Sequence, residues 1–151
     1  MLNIQVGHSY FLRYDRKQWE RGKPYPPLAT IQIAALLRRM GHELSLFDAM
    51  LSGGVEDFLP AFRDAAPDLV VFYEDNFNFL TKMCLVRQRE LGHKLIRAAK
   101  QAGATVMVNG SDATDHPLAY LDAGADFVLA GEPEYTAIEL AGRVLRCAGP
   151  V

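Results

Sequence analysis

A three-layer α/β sandwich around a five-stranded parallel sheet is the fold class that the sequence predicts, on three observations. Five short apolar runs alternate strictly with helical patterns along the 151 residues, and such alternation implies right-handed crossovers between parallel strands. The runs are almost continuously apolar, as strands covered on both faces require. Gly41, Gly103 and Gly124 each separate a helical pattern from the next strand, where a left-handed residue closes a helix.

The elements follow in order. The first strand is Leu2–Val6. A twenty-residue connection from His8 to Pro27 comes next, with three prolines (Pro24, Pro26, Pro27) and four aromatics (Tyr10, Phe11, Tyr14, Trp19). Loops this long inside a compact domain are usually functional. This one leaves the carboxyl end of a strand, so it reads as a lid or docking segment, with a passive excursion as the alternative. A helix over Leu28–Met40 leads to the strand Glu43–Phe47, and a helix over Val55–Ala65 to the strand Leu69–Tyr73.

The long helix Leu80–Ala102 aligns Leu80, Cys84, Gln88, Leu91, Leu95, Ala98 and Ala102 at helical spacing. The fourth strand is Thr105–Val108. Pro117 opens a short helix to Asp122, its missing N–H costing nothing in a first turn. The strand Phe127–Ala130 and the helix Glu134–Cys147 complete the unit. Together these make a flavodoxin-like (Rossmann-like) sandwich.

Composition narrows the function. Half the residues are apolar and the formal net charge is −2, so nothing global favours nucleic acid. No apolar run reaches membrane-spanning length and the start lacks a signal-peptide pattern, so a soluble cytoplasmic protein is expected. Cys84 and Cys147 are far apart and read as reduced thiols. The spacings of an iron–sulfur or zinc ligand set are missing, and no protein metal site is expected. The chain stops at Ala148-Gly149-Pro150-Val151, directly after its last helix, as a module of a longer parent would, and as a short natural protein could too.

Open α/β sheets take ligands at the carboxyl ends of their strands. The candidate residues are therefore those that end strands here. Gly7 and His8 end the first strand, and Tyr73, Glu74 and Asp75 the third. Asn109, Gly110, Ser111, Asp112 and Ala113 end the fourth, and Gly131, Glu132 and Pro133 the fifth. The small ones leave room for a bulky ligand against the backbone. A dinucleotide is disfavoured because Gly7 stands alone, without a G-x-G-x-x-G turn; Asp48 reads as a capping or loop carboxylate. A receiver domain would use Asp75, but the first strand ends without the paired acids that hold Mg²⁺. His42 and His93 read as structural, whereas His8 and His116 fall near the ligand edge. The basic residues along the long helix read as a solvated face.

Several segments together resemble the N-terminal cobalamin-binding domain of cobalamin-dependent radical SAM enzymes. Pro26-Pro27-Leu28-Ala29, with Met40-Gly41-His42-Glu43-Leu44, is similar to the family's P-P-L-G…G-H-E-V. Asn109-Gly110-Ser111-Asp112-Ala113-Thr114…Pro117 resembles its G-G-x-H-A-T…P, with Asn109 and Asp112 departing from the pattern. Gly131-Glu132-Pro133-Glu134 resembles G-E-x-E, and the segment Glu74 to Met83 is similar to one found in some members.

The resemblance implies one cobalamin-binding domain over residues 1–151. The cofactor's nucleotide tail would extend past Gly110 and Ser111, and its corrin would lie across the carboxyl edge. The D-x-H-x-x-G motif that supplies a histidine to cobalt elsewhere is absent, so a cobalt without a protein histidine is implied. SAM and a [4Fe-4S] cluster are implied only for a radical SAM domain in cis, with methyl transfer as the parent reaction. The expected partners are cobalamin and that domain, with neither nucleic acid nor membrane. The alternatives are a receiver-like regulatory or interaction domain without cofactor, and a small enzyme acting on a phosphorylated metabolite.

Overall fold

In the computed structural model, which describes residues 1–74 and 85–147, five parallel strands form one sheet in the order β2-β1-β3-β4-β5. They are β1 (Asn3–Gly7), β2 (Glu43–Phe47), β3 (Leu69–Tyr73), β4 (Thr105–Asn109) and β5 (Phe127–Leu129). β3 at the centre is buried along its whole length, which explains why its five residues are all apolar or aromatic. The register aligns Gly7 with Phe47 and Phe72, and Tyr73 with Asn109. Four strand ends therefore meet along one edge.

Two helical layers cover the sheet. Ile33 and Leu37 of α2 (Leu28–Arg39) and Ala137 and Ala141 of α7 (Glu134–Cys147) pack on Ile4, Val6, Val71 and Met107. On the other face, α3 (Phe58–Ala65) and α4 (Leu85–Gln101) bring Phe58, Phe62, Leu95 and Ile96 against Val70, Phe72, Val106 and Val108. Two short helices, α5 (Ser111–Asp115) and α6 (Pro117–Asp122), bridge β4 to β5. All three inter-element glycines read as helix stops take positive φ.

The connection after β1 departs from the expected lid. Tyr10, Phe11 and Leu12 are buried, and Phe11 sits in the α3–α4 core with its ring 6.3 Å from that of Phe47. Beyond a single 3-10 turn the segment forms α1 (Arg16–Arg21), capped by the Asp15 side chain on the Gln18 N–H and ended by left-handed Gly22. Its first half is core, because three large apolar side chains one after another are more stable inside than over a cleft. Only the stretch beyond Asp15 is largely solvated, with Trp19 55% exposed.

Leu80 and Cys84 lie outside the described residues, so the expected helix is seen from Leu85 onward. Among the described residues no helix is long and apolar enough to cross a membrane.

Candidate functional site at the carboxyl edge

The strand order runs outward from β1 to β2 in one direction and from β3 to β5 in the other. A crevice therefore opens between the ends of β1 and β3. His8 stands at its base, 1% exposed. Its Nδ1 accepts the Tyr10 N–H at 3.2 Å, so Nε2 carries the proton and donates to Asp48 Oδ1 at 2.9 Å. Burial works to raise the Asp48 carboxyl, but the His8 bond and the N–H groups of Met50 and Leu51 hold it below the usual range. Beside this pair, a Cβ on Gly7 would meet the Phe47 carbonyl oxygen at 2.9 Å, so close strand packing requires glycine there.

Glu74 occupies the centre of the edge. Its N–H donates to the Asn109 carbonyl, and its Oε1 accepts the Ser9 N–H at 2.8 Å. Its side chain lies over Gly110: a Cβ on that glycine would come within 2.9 Å of Glu74 Cβ and 3.1 Å of its Cγ. Burial pushes the Glu74 carboxyl above the usual range, against the pull of His8 and the Ser9 bond.

The end of β4 is tied down by side chains. Asn109, 3% exposed, donates its amide hydrogens to the carbonyls of Leu129 and Gly131. Thr114 Oγ1 donates to the Gly110 carbonyl and accepts the Gly131 N–H, joining the turn after β4 to the turn after β5. Asp112 receives a two-pronged bond from Arg89 on α4, at 2.7 and 2.6 Å, and a third from the Tyr120 hydroxyl at 2.8 Å. Burial opposes ionisation of Asp112, yet these partners keep its carboxyl low.

The other expected residues fall around this frame. Ser111 is half-buried and Ala113 is packed in the core. Gly131 has φ +70° and open space where a Cβ would be, with Glu132 exposed and Pro133 buried beside it. The Tyr73 hydroxyl donates to Glu134 on the first turn of α7; burial and that carboxylate both raise the phenol. Asp75 lies outside the described residues. The edge therefore brings together Gly7, His8, Tyr73, Glu74 and the ends of β4 and β5. Ser9, Asp48, Arg89, Thr114 and Tyr120 complete it without having been singled out as binding residues; of these, Thr114 belonged to a strand-end motif, and Asp48, at the end of the second strand, read as a capping or loop carboxylate.

The four histidines sort by environment. His42 accepts the Leu2 N–H at the opposite edge, and His93 packs edge-on against Tyr120. His8 has both ring nitrogens engaged. Only His116, between α5 and α6, is exposed.

A second face competes with this edge as a ligand site. A wide depression of 880 Å³ lies at the amino edge, lined by Pro67, Asp68, Gly103, Thr105, Asp126 and Phe127 among others. Helices α3, α4 and α7 end there, so it faces their carbonyl-rich, partially negative termini. The carboxyl edge instead meets the N-terminus of α7, whose first turn carries Glu134, and small strand-end residues that suit a bulky ligand. The chemistry favours the carboxyl edge. Among the described residues no group of three or more His, Cys, Asp or Glu side chains could hold a metal ion.

The sequence matches one family over most of its length: residues 20–141 fit the B12 binding domain, a span that opens within α1 and leaves β1 outside. No curated protein matches the chain.

Proposed function

The chain belongs to the B12-binding domain family, and we propose that it seats cobalamin across the carboxyl edge of the sheet as a module of a radical SAM enzyme that transfers methyl groups. The nucleotide tail would run along Gly110 and Ser111, and the corrin would rest over the ends of β1, β3 and β5. The family match across residues 20–141 carries the cobalamin-binding part of this reading. The residues present suit the group: Gly131 has open space in front of its backbone, and Gly110 and Ser111 are small residues at the end of β4.

When bound, cobalamin supplies cobalt chemistry for carrying a methyl group. The protein's part is to hold and orient the cofactor and to exclude water. Asn109, Thr114 and the Arg89–Asp112–Tyr120 bonds fix the β4 turn, so that its backbone presents a preset surface. Glu132, Glu134 and Tyr73 border the far end of the edge.

The reading includes a cobalt free of protein histidine. Engagement of both His8 nitrogens and the place of His42 at the opposite edge support it. A receiver-like reading loses ground at the end of β1, where His8 stands instead of an acid pair for Mg²⁺.

Electron paramagnetic resonance of the Co(II) form tests the proposal. The purified chain should retain cobalamin after gel filtration, and its spectrum should lack nitrogen superhyperfine splitting. A nitrogen triplet that disappears in His116→Ala would show a histidine ligand after all. Loss of all cofactor on the column would refute the binding reading.

A further inference from the structure

We infer that Glu74 is a displaceable plug of the carboxyl-edge cleft and sets how tightly the domain takes cobalamin. The inference rests on the reading that the cofactor's tail lies along Gly110 and Ser111. A glycine at the end of β4 offers a ligand the bare face of its backbone. Here that face is crowded: the Cβ of Glu74, fixed by the backbone, and its Cγ, the start of the movable part, lie 2.9 and 3.1 Å from where a Cβ on Gly110 would be. The tail and the Glu74 side chain compete for the same space.

The way Glu74 is held marks it as the part that moves. Asn109 grips two carbonyls, Asp112 accepts three bonds from two partners, and His8 uses both nitrogens. The Glu74 carboxyl is held by one residue, Ser9, through its N–H and its side chain. β3 ends at Tyr73, so Glu74 lies beyond the strand; with its own N–H still on the Asn109 carbonyl its Cβ keeps its place, while the Cγ and carboxyl can rotate away. Charge acts in the same direction, since the phosphodiester of the cobalamin tail and a carboxylate repel each other at short range. The plug covers the Gly110 turn until a ligand takes its place. Binding has to turn it outward, which releases Ser9.

Hydroxocobalamin binding to the whole chain, followed by absorbance and stopped flow, tests this in the parent and in two variants. Glu74→Ala should bind faster and about tenfold more tightly, because a larger fraction of molecules is open to the ligand. Glu74→Gln keeps the bulk and an acceptor for Ser9, and should stay much nearer the parent than the alanine variant does. In the parent, the Ser9 amide proton should move upfield on binding as its carboxylate partner leaves. Near-ultraviolet circular dichroism checks folding, and if Glu74→Ala does not fold, Glu74→Ser is judged by the same sign. Equal or weaker binding by the folded small-residue variant would overturn the plug and make Glu74 a ligand contact. A parent that binds no cobalamin would instead sink the cofactor reading, and the plug with it.

Discussion

Asn109 stands where the family pattern has glycine, and the structure gives it a purpose of its own. Its amide joins the end of β4 to the carbonyls of Leu129 and Gly131. Asn109→Asp would set a buried carboxylate against two carbonyl oxygens and should lower the unfolding free energy by about 3 kcal/mol or more. Urea denaturation at neutral pH would measure this, and a loss below 1 kcal/mol would contradict the staple. Asp112, the second departure, faces Arg89 and Tyr120. Its carboxyl is held low in the fold, so its contribution is full at neutral pH and is lost as the pH falls through the folded value. Asp112→Asn should cost about 1–3 kcal/mol at pH 7. That difference should shrink as the pH drops below about 4, because the parent then protonates as well. Denaturation at pH 7 and pH 3 should show the narrowing; a constant gap would contradict it.

The sequence showed these residues ending strands but not what they hold. The partners of Asn109 lie on β5 and in the turn after it, and those of Asp112 on α4 and α6. Only the folded sheet brings such distant residues together. His8 shows the same limit from the other side: its place near the ligand edge was readable, but the two bonds that occupy its ring were not.

Among the elements, long runs with one clear period were readable and short capped pieces were not. The strands Glu43–Phe47 and Leu69–Tyr73 lie where their apolar runs predict. Helix α1 left no periodic signal because none of its six residues is buried. It depends on Asp15 as its cap and on an exposed Arg16–Glu20 pair. The expected helix Val55–Ala65 begins as a 3-10 turn over Val55–Asp57 before α3.

The connection after β1 is where pattern reading erred most. Its aromatics pointed to a lid, yet Phe11 belongs to the core. Phe11→Ala should cost about 3–5 kcal/mol, whereas Trp19→Ala on exposed α1 should change stability by no more than about 0.5 kcal/mol. Thermal or urea unfolding of the pair would check this, and a small effect at Phe11 would restore the lid reading. Replacing the whole connection by a flexible linker should therefore unfold the domain.

At the scale of the molecule, the sandwich and the location of its ligand edge both followed from strict alternation. The crevice between β1 and β3 is a property of strand order, and strand order was constrained by right-handed crossovers. What fills that crevice was not readable, because Glu74 covers Gly110 through an approach that no spacing rule encodes. A ligand that binds only the folded chain must also stabilise it. Hydroxocobalamin at a hundred times its dissociation constant should add about 2.7 kcal/mol to unfolding, visible as a concentration-dependent rise in the melting temperature. No rise at saturating ligand would contradict selective binding to the fold.

Amide chemical-shift mapping with hydroxocobalamin tests the central claim most directly, since it reports both whether the cofactor binds and where. Shifts should concentrate at residues 7–9, at Tyr73 and Glu74, and at residues 109–114 and 131–134. The amino-edge depression around Pro67, Asp68, Gly103 and Phe127 should stay unchanged. Shifts confined to that opposite edge, or none at saturating cofactor, would contradict cobalamin binding at the carboxyl ends of the strands.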